Sequence, residues 1–335
     1  MKKYIFITIM FGLLLAQGAK NGTSAAPELN ITPSAQYLSG GGAVAGGNGM
    51  NASYWNPAGL ARNNKFNAAF SYRSYIADTQ LNNFGVSMPI ANLGIFGLSI
   101  RSLSFGDIPI TTIANEDGTG ETFSPSFFIA GLTYAKKMTD RINVGLNMNY
   151  ISETIDLVSA TGISYDFGVQ YDNFLEINNL NIGVSMKNMG SGMRYEGSGL
   201  NVQADDDSDR GNSWYSVATT ESGMPTIVDM GFTYKPFDNL TVGYTYQENN
   251  YGPNLSCMLL NYDVSIAQVR FGYILSEEQK GEDGAVDLEN IFASYSIGAS
   301  LDLSSILGKG IILDYGYIPV EYFDANQIFS VRFAL

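Results

Sequence analysis

Beyond residue 65 the chain is a long series of segments in which apolar and polar residues alternate with period two. The clearest is 161–171, where Ile163, Tyr165, Phe167, Val169 and Tyr171 alternate with Gly162, Ser164, Asp166, Gly168 and Gln170. Successive side chains of a strand face opposite ways, so this pattern predicts a strand with one apolar face and one small or polar face. Segments 142–151 and 240–247 repeat it, and comparable runs lie at 66–73, 82–88, 93–103, 126–135, 180–187, 227–234, 291–301, 310–317 and 327–335. That makes twelve strands.

The stretch 257–275 behaves differently. Its apolar set runs Met258, Leu260, Tyr262, Val264 and resumes out of phase at Val269, Phe271, Tyr273, Leu275. A continuous strand changes faces only through a bulge, and a tight hairpin near Ser265–Ala267 is the simpler solution. It raises the total to fourteen, an even number that leaves both ends of a single-chain barrel on the same side of the membrane. Links at 89–92, 136–141, 172–179, 235–239, 265–267 and 302–309 are short, whereas alternate links at 104–125, 188–226 and 276–290 are long and carry Asp205–Asp209 and Glu277-Glu278-Gln279-Lys280. Short turns at one end and long charged loops at the other are the habit of outer-membrane barrels.

Which face points outward separates a membrane barrel from a soluble one. The polar face is mostly Gly, Ser, Thr and Asn, with few Lys or Glu, which is a poor exterior for water and suits a barrel interior. Composition agrees, because only 15% of the 335 residues are charged against roughly a quarter in ordinary soluble domains. The predicted fold is therefore all-β, a transmembrane antiparallel up-and-down barrel of about fourteen strands over 66–335, with outer-membrane lipid as its surroundings.

Two segments precede the barrel. Lys2 and Lys3 lead into an apolar run from Tyr4 to Ala16, with small residues at Ala16-Gln17-Gly18. This predicts a cleaved signal peptide over 1–18 and delivery to a bacterial outer membrane, since the run is too short to span a bilayer. Residues 19–65 lack alternation but contain Ser39-Gly40-Gly41-Gly42-Ala43-Val44-Ala45-Gly46-Gly47-Asn48-Gly49. Such small residues permit close backbone packing, and ten inward-phase glycines, among them Gly145, Gly168 and Gly183, leave the wall thin. The segment is expected to plug the lumen, with Asn56-Pro57-Ala58 as a turn against the wall, held by Asn56 side-chain bonds and by the fixed φ of Pro57.

By phase, Arg73, Arg101, Lys187, Arg270 and Arg332 point inward, and so do Asp166, Asp229, Asp263 and Asp314. A selective pore would carry a ring of one sign, so nearly balanced signs point to mutual pairing or to anchoring of a plug. The net charge of −14 argues against nucleic acid as a partner. With no His, the Ser-His pairing of common hydrolases is missing, so no enzymatic activity and no cofactor are expected. Asp205–Asp209 offers oxygen ligands for Ca²⁺ but lacks the Gly and terminal Glu of an EF-hand loop, and a solvated loop is the simpler reading, so no metal site is assigned.

The run Tyr54-Trp55-Asn56-Pro57-Ala58-Gly59-Leu60-Ala61, after a Gly/Ala-rich stretch and before a barrel that ends at the C-terminus, resembles the PorV/PorQ branch of the FadL-like outer-membrane proteins. The resemblance implies an N-terminal segment inside the barrel, with Asn56, Pro57 and Ala58 as a structural signature. It also implies two possible functions. PorV-like members are accessory components for cargo of type IX secretion, with secretion-system proteins or secreted cargo as partners; FadL-like members carry a hydrophobic ligand across the outer membrane. The secretion role is the first expectation, because 188–226 is mostly polar despite Trp214, Tyr215 and Met224.

Overall fold

The computed structural model describes residues 22–205, 212–277, 292, 294–308 and 310–334. The signal segment 1–18, most of the Asp205–Asp209 run and Glu278-Gln279-Lys280 lie outside the described residues. Fourteen antiparallel strands form one closed barrel. They are β1 Asn67–Ser74, β2 Gln80–Ile90, β3 Gly94–Ser104, β4 Ser126–Lys137, β5 Ile142–Ile155, β6 Val158–Tyr171 and β7 Leu180–Gly190. The second half comprises β8 Ile227–Phe237, β9 Leu240–Asn249, β10 Leu255–Val264, β11 Ala267–Ser276, β12 Tyr295–Asp302, β13 Gly310–Ile318 and β14 Asn326–Ala334.

Each strand pairs with its sequence neighbours, and β1 closes on β14 in the register Asn67↔Ala334 to Ser74↔Gln327. No edge is left to face hydrocarbon, where an unpaired peptide group has no water to bond. The phase break resolves as a hairpin. Val264 pairs with Ala267 across Ser265-Ile266, and Ser265 takes the left-handed φ of 54° that the tight turn requires. Met258, Leu260, Tyr262, Val264, Val269, Phe271, Tyr273 and Leu275 are all exposed on the outer face of the adjacent strands β10 and β11. Of the run expected at 291–301, the described strand is Tyr295–Asp302, whose pairing with β11 includes Tyr273↔Tyr295, and residues 291 and 293 lie outside the described residues.

Alternation continues past the predicted ends of β5 and β6, which are 14 residues each and the longest strands described. Their extra length extends the wall on the loop side and brings Glu153 into the lumen. Large apolar side chains stand exposed on the outer face, among them Phe70, Leu98, Leu132, Phe167, Val184 and Phe329.

The wall is interrupted between β6 and β7. Tyr165 pairs with Met189 but Phe167 with Met186, so Asp166 alone stands opposite Lys187 and Asn188. This bulge turns two consecutive residues, Lys187 and Asn188, inward; Asn188 adopts φ 58°, and its backbone N–H donates to Asp166 Oδ1 at 2.7 Å instead of to a strand carbonyl.

The lipid-facing assignment is tested by placing a charge on it. Leu132→Arg, near the middle of β4, is expected to destabilise the barrel by about 2–4 kcal/mol in vesicle unfolding, against about 0–1 kcal/mol for Met138→Arg in the adjoining turn. Equal costs at both positions would contradict the placement.

Candidate functional site

Residues 22–66 run through the lumen from the loop end to the turn end. At the loop end the Ala25 N–H donates to Gly223 O at 2.9 Å, and at the turn end Arg62 pairs with Asp172 between β6 and β7. Between these points the segment makes only short helical turns, Pro27–Asn30, Ala43–Gly46, Met50–Ala52 and Pro57–Arg62. Side-chain bonds from the wall satisfy many of its peptide groups. Ser330 Oγ accepts from Ala35 N at 3.2 Å, Thr245 Oγ1 accepts from Gly42 N and donates to Gly40 O at 2.9 Å each, and Ser185 Oγ donates to Trp55 O at 2.7 Å.

Asn56-Pro57-Ala58 sits where this contact is closest. Asn56 is fully buried and extended, and its Oδ1 accepts from Ala58 N at 3.0 Å to cap the helical turn that Pro57 begins. Its Nδ2 lies at 2.8 Å from Val44 O within the plug, and at 3.1 and 3.3 Å from Val169 O and Val184 O in the wall. One amide thus ties together two pieces of plug and two strands. The approach requires bare backbone on the wall side. A Cβ on Gly145 would lie 2.2 Å from the Pro57 carbonyl carbon, one on Gly168 1.9 Å from Asn56 Oδ1, and one on Gly183 2.2 Å from Val44 O. Gly231 and Gly298, also in inward phase, meet the wall's own Thr245 and Arg270 instead of the plug.

The inward charges fall into groups that the sequence could not assemble. Asp314 accepts from Arg332 Nε at 2.6 Å and Nη2 at 2.9 Å, and lies 3.6 Å from Arg270 Nη2. Ser300 bonds to the same carboxylate and accepts from Arg270 Nη1. Asp229 lies 2.8 Å from Lys187 Nζ, with both groups buried. Lys187 also sits over the rings of Tyr54 and Trp55, 4.9 and 4.7 Å from their centroids, so the wall cation holds the plug aromatics. Arg101 lies 5.5 Å from the Tyr54 centroid. Arg73 donates to Thr32 O in the plug at 2.8 Å.

Asp166 needs no cation. It accepts from Asn147 and Asn149 Nδ2 at 2.7 and 3.1 Å, as well as from Asn188 N. Asp263, by contrast, is half-buried at the turn end of β10 and accepts from Asn261 Nδ2 at 3.0 Å, away from these clusters. Sequence reasoning missed Arg62–Asp172, the aromatic pair Tyr54-Trp55 as a cation seat, and two buried carboxyl groups, Glu28 and Glu153. Glu153 could have been found by extending the β5 alternation four residues; Glu28 lies in a segment without period.

Glu28 and Glu153 are each 2% exposed, one on the plug and one on β5, close enough to share a hydrogen bond. Burial, reinforced by the neighbouring Glu153 carboxylate, pushes the Glu28 carboxyl up to about 8. Between plug and wall lies a polar cavity of about 30 Å³, bordered by Tyr54, Arg101, Asn149, Asp166 and Lys187 among others. That is water-sized, far below the ~150 Å³ that accommodates benzene.

The docking of the plug generates a direct expectation. Gly145→Val should leave a folded, heat-modifiable barrel but displace Asn56-Pro57-Ala58, so that Arg62 becomes cleavable by trypsin and amides 55–62 lose protection from exchange. Asn56→Ala should do the same more mildly, at about 1–3 kcal/mol for each backbone group left without a partner. Full protection in Gly145→Val would refute the contact.

No protein-family profile matches the chain, and no curated protein does. Solved structures do. The chain is similar to the CymD monoaromatic hydrocarbon channel, with a TM-score of 0.58 and 12% identity over 92% of this chain and 98% of that one. It is similar to the P. putida toluene transporter TodX, with a TM-score of 0.56 and 10% identity over 91% of this chain and 99% of that one. The deltaS2S3 mutant of TodX matches with a TM-score of 0.56 and 11% identity over 85% and 94% of the two chains. At such identities the likeness is one of fold, a closed antiparallel barrel of the kind that these proteins share.

Proposed function

We propose that the protein is an outer-membrane channel for hydrophobic small molecules, held shut by its own N-terminal segment. The observation that carries this reading is the fold, shared along 98% and 99% of the lengths of two proteins described as a hydrocarbon channel and a toluene transporter. The lumen supports a closed state. The cavity bordered by Arg101, Asp166 and Lys187, at about 30 Å³, is too small and too polar to seat an apolar ligand until the plug shifts. Movement is physically reasonable because the plug is held by many small contacts rather than by a continuous apolar core. Its buried apolar residues fall into four separate clusters.

A second reading follows from the same filled lumen. If the plug never moves, the barrel is a platform, and a PorV-like accessory role in protein secretion becomes the better account. The surface that would then matter is the long loop 191–226, whose hairpin exposes Trp214 and Tyr215.

Transport measurements separate the two. Vesicles containing the intact protein should take up toluene or a fluorescent long-chain fatty acid faster than protein-free vesicles while passing little ion current. Deleting Gly40–Gly49, which lies against β8, β9 and β10, should raise the conductance. Large steady currents from the intact protein would indicate a general porin. Absence of apolar uptake by both the intact and the deleted protein would reject the channel and favour the accessory role.

A further inference from the structure

The N-terminal end of the plug is strapped to the loop-side mouth by contacts that the transport reading does not use. Ala26 and Leu29 pack into a buried apolar cluster with Ile129 and Ile151 of the wall and with Met193 and Met224 of the loop 191–226. Met193 and Ser222 bond to each other through their backbones, which closes the base of that loop over the strap, and Ala25 bonds to Gly223. Into this cluster the strap inserts Glu28. Neither of its carboxyl oxygens has a donor, and Glu153 Oε1 has none either, although all three atoms are inaccessible to water. Tyr195, from the same loop, donates its hydroxyl proton to Glu153 Oε2.

Two carboxyl groups forced together in an apolar setting cannot both stay ionised, because repulsion and lost hydration act in the same direction. One proton between them removes the repulsion and gives the orphaned oxygens a hydrogen bond. We infer that Glu28 and Glu153 form a proton-sharing latch that fastens the plug to the mouth of the barrel, and that loss of the shared proton releases the strap. Among the described residues, the charged and titratable groups that face the pair are Tyr195 from the loop and Arg101 from β3, whose charge is the smallest of the causes acting on Glu28. Arg101 is engaged with the Tyr54 ring, so it does not neutralise the pair by direct contact.

The direction of the pH dependence follows by linkage. The docked carboxyl holds its proton up to about pH 8, whereas a released Glu28 returns to the ordinary value of 4.5. Docking is unaffected by this group below pH 4.5, weakens about tenfold per pH unit between those values, and is at its weakest above pH 8. The latch is thus an acid-stabilised closure, and it operates whether or not the lumen carries a hydrophobic ligand.

Hydrogen exchange of the full chain in phospholipid nanodiscs tests the latch without any transport assay. After correction for intrinsic rates, protection of amides 24–31 should fall by about a hundredfold between pH 5.5 and pH 8, while amides of β4 and β5 stay protected. Glu28→Gln should abolish that dependence and stay protected at pH 8. Glu153→Gln, which supplies an amide donor to Glu28, should move the midpoint to lower pH, and it serves if the first variant folds poorly. Unchanged wild-type protection, or the same loss in Glu28→Gln, overturns the proposal. Loss of protection at pH 5.5 on adding EDTA also overturns it, because a divalent cation rather than a proton would then hold the pair.

Discussion

Hydrocarbon offers no hydrogen bonds, so every peptide group of a spanning strand must find its partner within the wall. Closure of β1 on β14 meets that demand, and much else follows from it. Once the sheet is closed, one face of every strand is committed to lipid and the other to a narrow interior. Tyr165, Phe167 and Val169 go out; Ser164, Asp166, Gly168 and Gln170 go in. An interior of small and polar side chains has no cohesion of its own. It becomes a packed structure only because residues 22–66 enter it and bond to its side chains.

The plug is held in an unusual way for a protein interior. Between separate small apolar clusters, plug backbone lies on wall backbone at glycines, and single polar side chains bridge the two. Asn56 is the extreme case, with one amide serving the plug turn, Val44 and both strands of the β6–β7 seam. Charge is organised around the same boundary. Lys187 pairs with Asp229 in the wall while facing Tyr54 and Trp55 in the plug, so its full desolvation is offset partly by each. Such contacts are individually modest, and their sum can be released in steps.

The two ends of the plug are fastened by opposite chemistry. At the turn end Arg62 and Asp172 form an ion pair, joined by Asn143, which donates to Asp172 Oδ2 at 3.2 Å. At the loop end two acids meet in an apolar cluster. The first fastening holds wherever carboxylates are ionised, and the second holds best when one is not. On the latch proposal, the loop-end fastening is the one that weakens as pH rises.

The sequence by itself determined the strands, their number, the face each turns to lipid and the hairpin at Ser265-Ile266. These depend on a period of two that each segment carries locally, and burial in lipid makes any slip costly. It also marked the glycines on the wall and the inward phase of the charged residues. What only the tertiary structure decided is which of these groups meet. Arg332 and Asp314 are on neighbouring strands, as are Lys187 and Asp229 on either side of the 191–226 loop, but Lys187 also meets Tyr54 and Trp55 of the plug, and Asp166 turned out to be bonded by amides. The bulge that turns both Lys187 and Asn188 inward breaks the very alternation from which their direction is read. The path of residues 22–66 was the least legible, because a segment that packs by backbone on glycine needs no periodic side-chain pattern, and so the meeting of Glu28 with Glu153 went unannounced even though the β5 alternation points Glu153 inward.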